Sequence, residues 1–408
     1  MPARIIRVKL RVVTPLFMGG ASQEVSEWRL SSIKGLLRYW YRASHYLLWA
    51  RPKRSVDSGG LADDADLRTE EARIFGGVDG EEGQGVFLLR TGRYPDQVII
   101  TSRLEDVIGK PGQPLSYLAY GPIDKGKARS SALMGDAELV FCFKPGAGSN
   151  QDKDIEAVLG SLWLLCHLGG MGSRSRRGLG SVVWLDMEGD TSALSFRFPR
   201  QASSVDELRE HLRSTISRLC PQLPPEGTEY TALSAKTRIV LGSPRPSWAQ
   251  ALHDVGRALQ LHRTYRCKSP RYRGDHDLVH DFAHTGRIST APKRVVFGLP
   301  HNYFFSHDKS SVQIDASSPD NSVNRRASPL FIHIEELAGR QPSYVPVVTL
   351  FPARFLPPNI RLKVGTTRCR QPVTVPAPTA PRPPLDYTPI HDFLDNFRQA
   401  TGGREVVL

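Results

Sequence analysis

The sequence is short of thiols, of acid and of long apolar runs. Its five cysteines (Cys142, Cys166, Cys220, Cys267 and Cys369) are scattered and never stand as C-x-x-C. Neither a disulfide framework nor a thiolate zinc site is indicated, and a reducing compartment is expected. No window approaches the roughly 20 apolar residues of a membrane span, and the opening MPARIIRVKLRVVTPLF lacks the apolar core of a signal peptide. A non-exported, cytoplasmic chain without membrane contact is therefore expected. No Gly-Lys-Ser/Thr phosphate loop or dinucleotide fingerprint is present, and no cofactor is expected. The shortage of acid leaves 54 Lys and Arg against 41 Asp and Glu, a net charge of +13 over 408 residues. That balance points to a partner carrying phosphates. At 40% hydrophobic and 23% charged the chain is globular rather than disordered, collagen-like or coiled coil, and its length suits two or three domains.

The positive charge is clustered, as tracking a phosphate backbone requires. Seven basic residues and no acid lie between Arg29 and Arg54, six and none between Arg257 and Arg273, and five and none between Arg361 and Arg382. Residues 57–82 reverse the sign, with nine acids against Arg68 and Arg73. The insertion 55–85 therefore reads as an exposed acidic loop turned away from nucleic acid.

Near-alternation predicts a strand over Ile5–Phe17. A helix follows from Ser31 or Ser32 as cap, burying Ile33, Leu36, Leu37 and Trp40, with Lys34, Arg38, Arg42 and His45 forming a basic ridge on a second stripe. Strands at 86–89, 97–101 and 138–143, an all-round apolar helix at 154–168 and a strand at 181–185 complete a βαββαβ order. The fold class is therefore α+β, with ferredoxin-like or RNA-recognition-type topology and insertions. The first domain is placed at 1–200 and a helical connector at 201–230, opened by a Ser204/Glu207 capping box. A second ferredoxin-like domain is placed at 231–370, with a helix at 248–261 and strands at 237–241, 294–299, 328–334 and 345–351. Seven prolines in 371–389 predict an extended arm, and an amphipathic tail completes the segment 371–408.

The most specific stretch is 169–182, GGMGSRSRRGLGSV, with five glycines and three arginines in fourteen residues. Glycine permits positive φ and close backbone approach, and guanidinium forks match phosphate. A phosphate-gripping loop is the reading, against a flexible solvated hairpin. Gly172-Ser173-Arg174-Ser175-Arg176-Arg177-Gly178-Leu179-Gly180 resembles the G-x-R-x-R-R-G-x-G loop of the RAMP superfamily of CRISPR proteins. VVTPLFMGGA with LSSIKGLLRYWYRA (30–43), FGLP (297–300) and RRASPLFIHI (325–334) are similar to the first RAMP subunit of type III-B (Cmr) effector complexes. The resemblance implies two RNA-recognition-like domains, a non-catalytic role, and partners consisting of guide RNA, target single-stranded RNA and other Cmr-family subunits. It places such a subunit toward the guide's 3′ end. Carried over by motif, the RNA contacts are Lys34, Arg38, Arg42, Gly172, Arg174, Arg176, Arg177, Gly178, Gly180, Arg325 and Arg326. Tyr39, Tyr41 and Tyr303 offer stacking surfaces, while Phe304 and Phe305 are assigned to the core.

Two rival chemistries are legible. His45, on the ridge with Lys34, Arg38 and Arg42, is placed as the general acid or base of a metal-independent guide-processing ribonuclease would be. His276, His280 and His284 recur at intervals of four, a metal-ligand spacing on a helix. That segment is read instead as local histidine density in a polar, arginine-rich loop, or as an interaction with RNA phosphate, and no metal is expected.

Overall fold

A computed structural model describes residues 3–22, 24–46, 65–77, 83–99, 112–122, 131–145, 150–191, 194–264, 271–318, 323–356, 360–366, 373–375 and 387–408. Strand β1 (Arg4–Leu16) alternates buried Ile6, Val8 and Leu10 with outward Ile5, Arg7 and Lys9, the period of two that turns one face to a core. It lies inside an antiparallel sheet of order β2-β4-β1-β5, where β2 is Phe87–Arg93, β4 Ser131–Phe143 and β5 Val182–Gly189; β3 (Asp96–Ile99) pairs with β4. Helix α1 (Leu30–Ser44) follows β1, α2 (Ala65–Phe75) and α3 (Pro114–Ala119) lie in the excursions, and α4 (Asn150–Leu168) precedes β5. From Val158 to Leu168 helix α4 is buried on every side, because it is wedged between β5 and the second half of the molecule.

In that second half, α5 (Val205–Leu219) leads to β6 (Arg238–Leu241), α6 (Trp248–Arg263) and α7 (Arg273–Thr285). A second antiparallel sheet has the order β13-β6-β10-β9, with β9 Leu330–Leu337, β10 Ser343–Leu350 and β13 Arg404–Val406; α8 (Thr388–Thr401) precedes β13. Both sheets share one relative strand order, last-first-third-second. A third sheet, β12-β11-β8-β7, is made by two inserted pairs: β7 (His301–Phe304) with β8 (Ser311–Ser317), and β11 (Arg361–Thr366) with β12 (Val373–Val375). Among the described residues no helix is long and apolar enough to cross a membrane.

The two halves share an interior. Trp40 of α1 packs edge-on to Phe331 and Phe351, at ring-centroid distances of 6.1 and 5.7 Å. Such aromatic pairs add ~0.5–1.5 kcal/mol beyond area burial. His167 Nδ1 of α4 lies 2.8 Å from the buried Glu335 carboxylate of β9, and Arg11 of β1 donates to Glu336 at 2.6 Å.

Several expectations need correction. Helix α1 starts from Arg29, which makes no side-chain cap hydrogen bond, and Ser31 and Ser32 lie within its first turn. Residues 294–299 are no strand. Lys293–Phe297 form a 3-10 turn because the Asp275 carboxylate accepts the N–H groups of Lys293 and Arg294, both at 2.8 Å. The amphipathic tail carries α8 and β13, and β13 pairs with β6 in the second sheet. Residues 275–284 lie in helix α7 rather than a loop. Phe305 is buried as expected, whereas Phe304 is 67% exposed. The acidic insertion does not stand away from the molecule: α2 docks on α1 with Glu71, Ile74 and Phe75 buried. Residues 55–64 and 78–82 of that insertion, and most of the prolyl arm, lie outside the described residues.

Candidate nucleic-acid interface

After α4 the chain turns at Gly169 and enters a 3-10 turn, Ser175–Arg177, flanked by left-handed Arg174 (φ 61°) and Gly178 (φ 82°). The glycines fit the loop against protein. At Gly180 (φ 64°) a Cβ would stand 2.0 Å from the Met171 carbonyl oxygen, and at Gly172 (φ 75°) 2.5 Å from that of Phe17. Gly178 and Gly180 are buried. Pro15 O accepts from Gly180 N at 3.0 Å and Phe17 O from Ser173 N at 2.8 Å. Thr14 Oγ1 donates to Gly178 O and accepts from Ser181 N, each at 2.8 Å. The loop is thus a packed element and not a solvated hairpin.

The four sequence blocks meet around it. Thr14 and Pro15 come from the first block and Tyr39 from the second. Phe297 O of FGLP accepts from Arg177 at 3.2 Å, and Ser328 O of RRASPLFIHI accepts from Arg176 at 2.6 Å. The Arg176 guanidinium lies 4.5 Å over the Phe331 ring and 5.9 Å from that of Tyr39. Arg174 donates to Tyr120 O and lies 5.8 Å over the Tyr120 ring. Arg326 donates to Arg354 O at 2.7 Å, and Arg325 is exposed. Arg263 of α6 lies 5.1 Å over the Phe297 ring and donates to Tyr117 Oη.

Each guanidinium partner here is a carbonyl, a hydroxyl, an imidazole or a ring. Among the described residues none of Arg174, Arg176, Arg177, Arg263, Arg325 and Arg326 meets a carboxylate, so their charge is oriented but not cancelled. Arg177 Nη1 is buried without a hydrogen-bond partner. Burial, with Arg263, Arg174 and Arg176 nearby, pushes the Arg177 guanidinium down to about 10. Beside this cluster a hollow of about 560 Å³ is lined by Tyr117, Arg257, Arg263, Arg294 and His301.

The α1 ridge is different. Arg42 donates to both Glu71 carboxylate oxygens, at 2.7 and 2.8 Å, and Arg38 to Glu71 Oε1 at 3.2 Å. Lys34 is half-buried with its ammonium 5.1 Å over the Phe87 ring, and burial beside Arg38 and Lys144 moves its pKa down. His45 is not on the ridge: it follows the last turn of α1, stacks on Tyr41 with centroids 4.2 Å apart, and places Nδ1 3.0 Å from Tyr41 O. Tyr39 and Tyr41 are taken up by Arg176 and His45 and offer no free stacking face. Arg263 was signalled only by its acid-free tract, and Tyr117 and Tyr120 had no signal, because folding alone brings them to the loop.

The RAMP superfamily profile matches residues 9–183. Among relatives, Cmr1-1 of the Pyrococcus furiosus Cmr CRISPR system is 22% identical over 351 residues, covering 82% of this chain and 84% of that protein. Cmr1-2 of the same organism is 25% identical over 198 residues, covering 42% of this chain and 91% of that protein. The crystal structure of apo Cmr1 from Pyrococcus furiosus shares the fold, with a TM-score of 0.57, 16% identity and 98% coverage of both chains. A chain of the type III-B Cmr-beta complex bound to cognate target RNA aligns with a TM-score of 0.54 and 12% identity, over 98% of this chain and 99% of that one. With the glycine-arginine loop seated against the blocks that accompany it in sequence, residues 9–183 match the RAMP superfamily, and the chain is similar in fold to Cmr1 over nearly its whole length.

Proposed function

We propose that this chain is the Cmr1-type RNA-binding subunit of a type III-B CRISPR ribonucleoprotein. In this reading it holds guide RNA near the 3′ end or captured target RNA by its backbone, works beside other Cmr subunits in the cytoplasm, and cuts nothing itself. Both strand-helix-strand-strand-helix-strand units are read as ferredoxin-like domains. One observation carries the proposal: six arginines from three segments gather where the halves meet, and none meets a carboxylate among the described residues. Phosphate would complete their bonding, as guide-programmed recognition asks, because base pairing reads the sequence and the protein needs only backbone contacts.

A non-catalytic role is supported by His45, whose pKa burial lowers to about 4, far from the range of a general acid or base at neutral pH. The test uses Arg174→Glu with Arg325→Glu, both exposed side chains, in the assembled complex. Removing two phosphate contacts should reduce the slope of log affinity against log salt by about 1.4 for single-stranded RNA, equally for unrelated sequences. An unchanged slope would overturn the assignment.

A further inference from the structure

Helix α7 presents His280 and His284 one turn apart to the turn between β7 and β8. That turn supplies Asp308 and is shaped by left-handed Lys309 (φ 59°). His284 Nε2 lies 2.9 Å and His280 Nε2 3.6 Å from the same oxygen, Asp308 Oδ2. All three ligand atoms lie within 4.8 Å of one another. We propose that His280, His284 and Asp308 bind one divalent transition-metal ion of the zinc class, with the fourth position open to solvent.

The donor set and its support argue for this. Two imidazoles and a carboxylate suit zinc, and bond lengths of ~2.0–2.1 Å in a tetrahedron put ligand atoms ~3.3 Å apart, between the two separations observed. His284 Nδ1 sits 3.0 Å from His280 O, which places its hydrogen there and leaves the Nε2 lone pair facing Asp308. Asp308 Oδ1 accepts from Ser310 N at 2.9 Å and Ser310 Oγ at 2.7 Å, so Oδ2 is the oxygen turned to the histidines. His280 Nε2 is buried with no hydrogen bond, a cost that metal ligation would remove. His276, one turn earlier, pairs with Asp277 at 3.1 Å and lies outside the triad. The histidine spacing lies on this helix, but the third ligand in the proposal is the distant Asp308 and not His276. A bound ion would clamp the inserted sheet to α7, two elements otherwise joined by few contacts.

The experiment titrates Zn²⁺ into the full-length chelator-treated chain by calorimetry, with Co²⁺ absorption as the reporter of tetrahedral N/O ligation. One equivalent should bind and raise the melting temperature. Affinity should fall at least tenfold in His284→Gln and in Asp308→Asn, and stay within twofold in His276→Gln. No stoichiometric uptake, or uptake unchanged in both ligand variants, would overturn the site. Comparing the metal-free melting temperatures of the variants separates lost ligation from lost folding.

Discussion

Arg176 joins the two halves of the molecule, donating to Ser328 O at 2.6 Å while its guanidinium lies 4.5 Å over the Phe331 ring. A charge-assisted hydrogen bond contributes ~1.5–3 kcal/mol and a desolvated cation–π contact up to ~2. Arg176→Ala is expected to destabilise by about 2–4 kcal/mol in urea unfolding, in addition to weakening RNA. Arg174→Ala and Arg325→Ala should stay within about 0.5–1 kcal/mol. Equal stability losses in all three would show that the loop arginines do not differ as their partners imply.

Glu71 ties down Arg38 and Arg42. Glu71→Gln keeps the shape but removes the charge that cancels two guanidiniums. Nonspecific RNA affinity of the purified chain is expected to rise several-fold at low salt and its salt slope to steepen by ~0.7–1.4. An affinity equal to that of the parent would mean that this face stays away from RNA even when its charge is released.

Gly180→Ala places a methyl group 2.0 Å from the Met171 carbonyl at φ 64°. Left-handed strain and displaced backbone together should cost about 2–4 kcal/mol, read as a lower urea midpoint at unchanged m-value. Gly35→Ala, where a Cβ meets nothing, serves as the control and should be neutral or slightly stabilising.

His262 is buried with Nε2 2.9 Å from Pro389 O, and burial lowers its pKa from 6.5 to about 4. Because the unfolded chain binds a proton at this position between those two values and the folded chain does not, stability rises with pH through that window. It is complete above about pH 6.5 and is lost as pH falls toward 4, by on the order of 3 kcal/mol for this one group. His45, shifted in the same direction, adds to the loss. His262→Gln should flatten the dependence of the melting temperature on pH between 4 and 6.5; a profile unchanged from the parent would place the acid sensitivity elsewhere.

Local features were legible because they depend on neighbours in sequence. Alternation marked β1, the apolar period marked α1, and Ser204 does cap α5, its oxygen accepting Glu207 N at 3.1 Å. The positive-φ glycines marked 169–182 as a shaped loop. Residues 294–299 were misread because a β-branched pair followed by Phe suits a strand until the Asp275 carboxylate, 19 residues earlier than Arg294, captures the backbone.

The sequence alone determined that the charge is segmented, that an arginine-glycine loop is the distinctive element, and that the chain alternates helices and strands in an α+β order. Tertiary structure decided which arginines keep their charge available. Glu71 closes back on α1 and cancels Arg38 and Arg42, whereas Arg176 and Arg177 meet the second half, and Arg174 meets Tyr120, through carbonyls and rings. It also brought Asp308 to His280 and His284. A residue's type fixes its charge and donors, but whether that charge faces a carboxylate or a carbonyl depends on segments tens to hundreds of residues away, and only the packed fold supplies that partner.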